Sequence, residues 1–160
     1  MNAPKQLIYL HGLFSDSSGV KATLLRGLFP AILTPDFSGP LEERMALLNS
    51  LLMDSCGWTI VGSSFGGLMG ALFTCQRPDQ VEKLILLAPA LIWPDFATAP
   101  LQPVDVPVIV YQGSRDEQIP PQEVERLARL VFTNLTYHLV DDDHGLFKTV
   151  HSLNWQELLG

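Results

Sequence analysis

The feature that most constrains the fold of this chain is the alternation of short apolar runs with longer amphipathic stretches along its whole length. The apolar runs lack clean alternation of polar and apolar residues, as expected for strands that are buried on both faces. A chain in which such apolar runs take turns with amphipathic stretches is typical of strand and helix repeats that build a parallel sheet. It predicts six strands, over Gln6 to Leu10, Ala31 to Thr34, Trp58 to Gly62, Lys83 to Leu87, Val108 to Tyr111 and Leu135 to Val140.

The amphipathic stretches predict five helices, over Ser18 to Leu28, Leu41 to Asp54, Phe65 to Gln76, Pro121 to Phe132 and Leu146 to Leu158. Ser17 or Ser18 is expected to cap the first helix, and Pro120 and Pro121 are expected to open the helix that follows them. The segment Ala88 to Pro107 contains five prolines, and its apolar residues follow neither the period of a helix nor that of a strand. We therefore expect a loop with one helical turn. The predicted fold is α/β: three layers, doubly wound, with a mainly parallel six-stranded sheet and helices on both faces.

Composition narrows the class of protein further. A length of 160 residues predicts a single domain over residues 1–160. Hydrophobic residues make up 47% of the chain and charged residues 17%, a balance that excludes intrinsic disorder. The net charge of −7 repels phosphate backbones and anionic lipid surfaces, so nucleic acid is excluded as a partner. The sequence does not determine the oligomeric state.

Neither a membrane span nor a targeting segment is expected. The most apolar stretch, Leu84 to Trp93, has ten residues and is interrupted by Pro89, about half of what a membrane-spanning helix needs. Met1 to Lys5 leads directly into an apolar run without the charged region and cleavage site of a signal peptide. We therefore expect a cytoplasmic protein. Its two cysteines stand apart from each other and from the histidines, so no metal site and no cofactor is expected.

The third predicted strand ends in Gly62-Ser63-Ser64-Phe65-Gly66-Gly67, a G-x-S-x-G pattern followed at once by a helical pattern. A serine held in a tight turn between a strand and a helix crowds its neighbours, and glycines on both sides relieve those clashes. The pattern arises by chance in roughly one chain of this length in twenty, but its position between strand and helix is the context that a nucleophile requires. No lysine follows as in a phosphate-binding loop, and the G-x-G-x-x-G spacing of dinucleotide sites is absent. Ser64 is the predicted nucleophile.

A serine nucleophile needs a base, and the base needs an acid that orients it. His144 follows the last predicted strand, on the edge of the sheet that Ser64 occupies, and is the predicted base. His138 lies in a strand and His151 in a helix, which favours packing or surface roles. His11 directly follows the first strand and is the remaining rival.

The predicted acid is Asp116, which lies in the turn after the fifth predicted strand. Its competitors are Asp141, Asp142 and Asp143, which we expect to form a solvated turn. The chain order Ser64, Asp116, His144 is the order serine, acid, histidine, which differs from the orders of chymotrypsin and subtilisin.

These segments resemble the α/β-hydrolase superfamily, and in particular its small bacterial members that lack a cap domain. The resemblance is carried by Ile8-Tyr9-Leu10-His11-Gly12, by Gly62 to Gly67, by Gly113 to Pro120 and by Asp143-His144-Gly145. It implies that the backbone N–H groups of Leu13 and Phe65 form an oxyanion hole and that His11 is structural. It also implies a pocket wall built by short loops. The apolar candidates for that wall are Leu13, Phe14, Phe65, Trp93, Phe96, Leu146 and Phe147, each of which could equally be a core residue.

The resemblance implies a serine hydrolase that cleaves esters of small or medium acyl groups through an acyl-enzyme on Ser64, without metal or cofactor. Two alternatives stay open. The same three residues could hydrolyse a thioester or a carbon–carbon bond, because fold and triad do not determine the bond that is cleaved. The same pocket could also belong to a non-catalytic module that binds a small molecule or a protein.

Overall fold

Five parallel strands form one sheet in the computed structural model, which describes residues 4–160. The first part of the segment Met1 to Lys5, in which we expect no signal peptide, lies outside the described residues. The strands are adjacent in chain order, β1-β2-β3-β4-β5. Their bounds are Gln6–Leu10 (β1), Trp58–Ser63 (β2), Val81–Leu87 (β3), Val108–Gly113 (β4) and Leu135–Val140 (β5).

Within residues 4–160, seven α-helices cover the sheet. Their bounds are Val20–Leu28 (α1), Leu41–Leu52 (α2), Phe65–Gln76 (α3), Pro94–Ala97 (α4), Pro121–Val131 (α5), Phe147–Ser152 (α6) and Trp155–Leu159 (α7). Helices α2, α3 and α5 bury their apolar residues in one core, and α1, α6 and α7 bury theirs in another. Successive strand residues point to opposite faces, and Ile60 and Val61 accordingly belong to the two different cores. The expected three-layer α/β fold with a parallel sheet is confirmed.

The sixth predicted strand, Ala31 to Thr34, is reduced to a single bridge. Leu33 donates its N–H to Leu7 O and accepts from Tyr9 N, both at 2.9 Å. The next ladder bond would need an N–H at Pro35, and proline has none. The pairing therefore ends after one residue, and the sheet has five strands with Leu33 on the outer side of β1.

Two helix predictions also differ from the structure. The predicted helix Leu146 to Leu158 is broken into α6 and α7, because Leu153 is extended and Asn154 caps α7 by accepting a hydrogen bond from Glu157 N. Neither Ser17 nor Ser18 caps α1, whose N-cap is Gly19. The Ser17 amide donates instead to Asp36, and the Ser18 amide to Asp16.

The other irregular regions match expectation. Helix α5 begins at Pro121 with Pro120 as its N-cap, as predicted, and the segment Ala88 to Pro107 contains the single helical turn α4. Within residues 4–160 no helix has the length and apolarity required to cross a membrane.

Candidate active site

A crevice forms at the carboxyl edge of the sheet between β1 and β2. After β1 the chain passes through α1 to the outer edge at Leu33, whereas after β2 it passes through α3 to β3 on the other side. The chain thus leaves the two neighbouring strands in opposite directions. In open α/β sheets this is where ligands bind.

Ser64 occupies a strained turn between β2 and α3. Its φ of 53° and ψ of −112° lie in a region that side chains rarely adopt, at a cost of about 1–3 kcal/mol. A Cβ at Gly62 would collide with Gly66 O, and one at Gly66 would collide with Leu10 O. The turn is held by hydrogen bonds from Ser64 N to Leu87 O and from Ala90 N to Ser64 O, both at 2.9 Å. Glycine at both flanking positions is therefore a steric requirement of this turn.

The structure brings Ser64 and His144 into contact. Ser64 Oγ lies 3.0 Å from His144 Nε2, which is hydrogen-bond distance. His144 stands in the loop between β5 and α6, and Asp142 organises that loop: it accepts hydrogen bonds from Asp143 N at 2.8 Å and from Thr149 N at 2.9 Å. The expectation of a solvated turn is therefore wrong for Asp142, which is buried because its carboxylate ties the loop to α6.

Asp116 completes a hydrogen-bonded chain, since its Oδ2 lies 2.7 Å from His144 Nδ1. Its side chain is fully buried. Burial alone would raise the pKa of Asp116, but hydrogen bonds from His144, from the amides of Ile119 and Gln118 and from Gln112 together hold that pKa below its ordinary value. A carboxylate at this position keeps the proton of His144 on Nδ1 and leaves the Nε2 lone pair directed at Ser64 Oγ.

The side chain of His11 ties the segment after β1 to the segment that precedes α2. This buried side chain has its Nδ1 2.7 Å from Gly12 O and accepts from Phe37 N at Nε2, at 2.9 Å. A Cβ added at Gly12 would lie 3.7 Å from Ser64 Cβ. The loop that carries Leu13 thus packs directly on the nucleophile candidate, and His11 has a structural position, as expected.

The amides of Leu13 and Phe65 make no hydrogen bond within the described part of the chain. Phe65 is the first residue of α3, and the N-terminus of a helix favours negative charge. Arg44 connects the two residues: its Nη2 lies 3.4 Å from Leu13 O and its guanidinium 5.2 Å from the centre of the Phe65 ring. Both amides are therefore free to donate a hydrogen bond to a ligand.

A cavity of about 570 Å³ opens beside Ser64 and His144. Of the residues predicted for its wall, Leu13, Phe14, Phe65, Trp93 and Phe147 do line it. Phe96 and Leu146 do not. Phe96 is buried against Phe132, with ring centres 6.0 Å apart, and Leu146 is fully buried in the core that contains α6.

Several residues of the site carry no signal in the sequence. Gln112 donates to Asp116 Oδ2 at 3.0 Å from the end of β4, and Arg44 reaches the site from α2. Neither belongs to a motif, and their roles depend on side-chain directions that spacing does not give. The two histidines assigned to other roles lie elsewhere: His138 stacks on Tyr111 in the sheet, and His151 contacts Phe147 O within α6. Residues 4–160 contain no cluster of three or more potential metal ligands.

Comparison with solved structures identifies the fold. The chain is similar to α/β hydrolase domain-containing protein 10 from mouse, with a TM-score of 0.78 and 19% identity over 96% of this chain and 88% of that one. It is similar to a putative hydrolase of the α/β superfamily from Xanthomonas campestris, with a TM-score of 0.74 and 25% identity over 92% and 91%.

A third similar structure is the monoacylglycerol lipase of Paleococcus ferrophilus, with a TM-score of 0.69 and 18% identity over 96% of this chain and 93% of that one. No family model matches the sequence, and no curated protein matches it. The likeness is therefore one of structure, and it covers nearly the whole chain.

Proposed function

Since the chain has the α/β-hydrolase fold, we propose that it is a serine esterase that cleaves esters of small or medium acyl groups. The observation that carries the proposal is the hydrogen-bonded chain Ser64, His144, Asp116, with distances of 3.0 and 2.7 Å, at the wall of an open cavity. This arrangement makes a serine hydroxyl nucleophilic at neutral pH.

In the acylation step, Ser64 Oγ attacks the ester carbonyl carbon while His144 Nε2 takes the hydroxyl proton. The carbonyl oxygen becomes negatively charged, and the N–H groups of Leu13 and Phe65 stabilise it. The bond from carbon to the alcohol oxygen then breaks, and His144 gives its proton to the departing alcohol. The product of this step is an acyl-enzyme on Ser64.

In the second step, water takes the place of the alcohol. His144 accepts a proton from the water as it attacks the acyl carbon, and then returns the proton to Ser64 Oγ when the bond from carbon to Oγ breaks. Asp116 stays ionised throughout and stabilises the imidazolium that forms twice in the cycle. The low pKa of its carboxyl group suits this role.

The size of the cavity supports a small or medium acyl group. Its volume of about 570 Å³ lies within the range of small-molecule sites, and its wall is mostly apolar with a few polar groups beside Ser64. The similar structures from Xanthomonas campestris and Paleococcus ferrophilus bear the names of a putative hydrolase and a monoacylglycerol lipase, which agrees with the proposed class of reaction.

The proposal is tested by labelling with a fluorophosphonate, which reacts with activated serines. We expect an adduct on Ser64 in the native protein, no adduct in Ser64→Ala, and an unchanged adduct in Ser114→Ala, which replaces an exposed serine on the same edge of the sheet. We also expect Ser64→Ala to lower kcat for a butyrate ester by about 10⁴-fold or more. A folded native protein without an adduct on Ser64 would overturn the mechanism.

A panel of esters and thioesters with the same acyl group defines the bond that is cleaved. We expect oxygen esters to give the higher kcat/KM. A higher value for thioesters would keep Ser64 as the nucleophile and change the substrate class. Labelled protein that turns over neither class would favour a binding module or the cleavage of a different bond.

A further inference from the structure

Lys21 lies on the wall of the cavity that contains Ser64 and His144. It is the second residue of α1, the helix that follows the loop carrying Leu13. Its ammonium group lies over the ring of Phe147, with Nζ 4.8 Å from the ring centre. Among the described residues that line this cavity, Lys21 is the only lysine, arginine, aspartate or glutamate.

The ammonium group of Lys21 has no directly bonded partner among the described residues. Across residues 4–160 it makes no hydrogen bond and no ion pair within 4.0 Å, and the side chain is half-buried. An ammonium group has three N–H donors, and a cation that has lost part of its hydration without gaining acceptors is costly. An anion that enters the cavity would therefore find an unpaired positive charge.

Two carboxylates face Lys21 from the loop before α6. Burial lowers the pKa of Lys21, and the charges of Asp142 and Asp143 oppose that effect. Both carboxylates already accept hydrogen bonds, Asp142 from Thr149 and Asp143 from Gly145 N at 3.1 Å. They favour the charged form of the lysine but leave its donors free for a ligand.

The position of Lys21 also indicates which part of a substrate it would meet. In the proposed mechanism His144 gives a proton to the departing alcohol, so the alcohol part of the ester lies on the His144 side of the cavity. The ammonium group of Lys21 lies over the ring of Phe147. That ring packs against Gly145, the residue after His144, so closely that an added Cβ at Gly145 would collide with it. Lys21 is therefore on the side of the alcohol.

We propose that Lys21 is a specificity residue that binds a carboxylate on the alcohol part of the substrate, so that the preferred substrates are esters of hydroxy acids. The proposal rests on the proposed esterase function. A carboxylate paired with a partly desolvated ammonium forms hydrogen bonds about twice as strong as neutral ones. The apolar remainder of the wall would hold the acyl group and the body of the alcohol.

The test compares matched esters that differ in one charge. The butyrate esters of 3- and 4-hydroxybenzoate carry the carboxylate, and those of the corresponding hydroxybenzamides are neutral and of similar size. In Lys21→Met we expect kcat/KM for the carboxylate esters to fall about tenfold or more, mainly through KM. For the neutral esters we expect a change of less than about twofold. Lys21→Arg should retain most of the preference.

Lys148→Met is the matched control, because it removes the same charge from an exposed position outside the cavity, where Lys148 Nζ lies 4.0 Å from Asp141. It should leave the ratio between the two kinds of ester unchanged. An equal loss for both kinds of ester in Lys21→Met would overturn the proposal. So would an equal change of the ratio in Lys148→Met, which would assign the preference to net charge.

A binding measurement separates this proposal from the esterase proposal. In a Ser64→Ala background the intact esters can be titrated by calorimetry whether or not the native protein hydrolyses them. We expect tighter binding of the carboxylate esters, and loss of that difference when Lys21→Met is added. If the native protein hydrolyses neither ester, the esterase proposal fails. If the binding difference does not depend on Lys21, the role of Lys21 fails.

Discussion

Two phenylalanines of this chain occupy opposite environments although both were candidates for the pocket wall. Phe14 is 99% exposed at the rim of the cavity, and Phe96 is 2% exposed against Phe132. We expect Phe96→Ala to lower the free energy of unfolding by about 3–5 kcal/mol, through lost burial and the cavity that it leaves. Phe14→Ala should change that free energy by less than about 0.5 kcal/mol.

Urea unfolding of both variants measures the difference. Phe14→Ala should also raise KM for apolar esters, because it removes apolar surface from the rim of the cavity. Equal loss of stability in the two variants would contradict the environments that the structure gives these side chains.

At the scale of residues, the sequence is informative where the backbone alone determines the outcome. The positions of Ser64, Asp116 and His144 follow from the strand ends that precede them, and these residues are hydrogen-bonded in the order that the sequence predicts. The positions of Phe96 and Asp142 differ from the prediction because packing decides the direction of a side chain in the short helix α4 and in the loop after β5. Lys21 carries no motif, and its location on the cavity wall depends on contacts between distant segments.

At the scale of elements, replacement by alanine is expected to have opposite effects on stability at two helical glycines. Gly27 lies in α1, is exposed, and has no atom within 4 Å of an added Cβ. We expect Gly27→Ala to raise the free energy of unfolding by about 0.5–1 kcal/mol, because alanine loses less backbone entropy on folding. A thermal unfolding midpoint that does not rise would contradict this.

Gly66 in α3 is the control for that measurement. A Cβ there would collide with the backbone at Leu10 O, so Gly66→Ala should lose stability although alanine is the better helix former. An increase in the unfolding midpoint of Gly66→Ala would show that β1 can move away from α3.

A comparison of the predicted and observed bounds shows which local signals in the sequence are sufficient to predict where a helix or strand begins and ends. Helix α3 has the predicted bounds because its start is set by the Ser64 turn and its residues are buried without interruption from Phe65 to Thr74. The strand expected at Ala31 to Thr34 was lost because one missing N–H, at Pro35, ends its ladder. The break before α7 has a local signal in Asn154 and Glu157, an N-cap residue with an acidic residue three positions later, but the apolar period continues across it.

At the scale of the whole molecule, two buried carboxylates link folding to pH. Burial alone would raise the pKa values of Asp116 and Asp142, but their hydrogen bonds hold both values below the ordinary one. A carboxyl group whose pKa is lower in the folded state binds protons more weakly there than in the unfolded chain. Its contribution to stability is therefore complete above the unfolded pKa of about 3.9 and is lost as the pH falls through the folded pKa.

We accordingly expect the free energy of unfolding to decrease below about pH 4. Urea unfolding at pH 7, 5, 4 and 3 measures this dependence. Asp142→Asn should be less stable at neutral pH and should show a smaller decrease in acid, because one of the two carboxyl groups has been removed. An unchanged acid dependence in this variant would assign the effect to other groups.

The overall architecture was predictable because it depends on the hydrophobic pattern of many residues together and not on the position of any single side chain. Strands buried on both faces need continuous apolar runs, and five of the six predicted runs are strands of one parallel sheet. The positions of the helices on the two faces follow from the handedness of the connections between parallel strands. The shape of the cavity was not predictable, because it is set by the packing of five separate parts of the chain.

The outer edge of β5 has a consequence for the behaviour of the protein at high concentration. Within residues 4–160 this strand pairs with β4 alone, and Thr136, His138 and Leu139 are exposed along it. A free strand edge can add an extended segment of another molecule, which is a common route to aggregation. The net charge of −7 opposes such an encounter. Colloidal stability should therefore be greater at neutral pH than near the isoelectric point of about 4.9, and greater at low salt, where the repulsion between molecules is screened least.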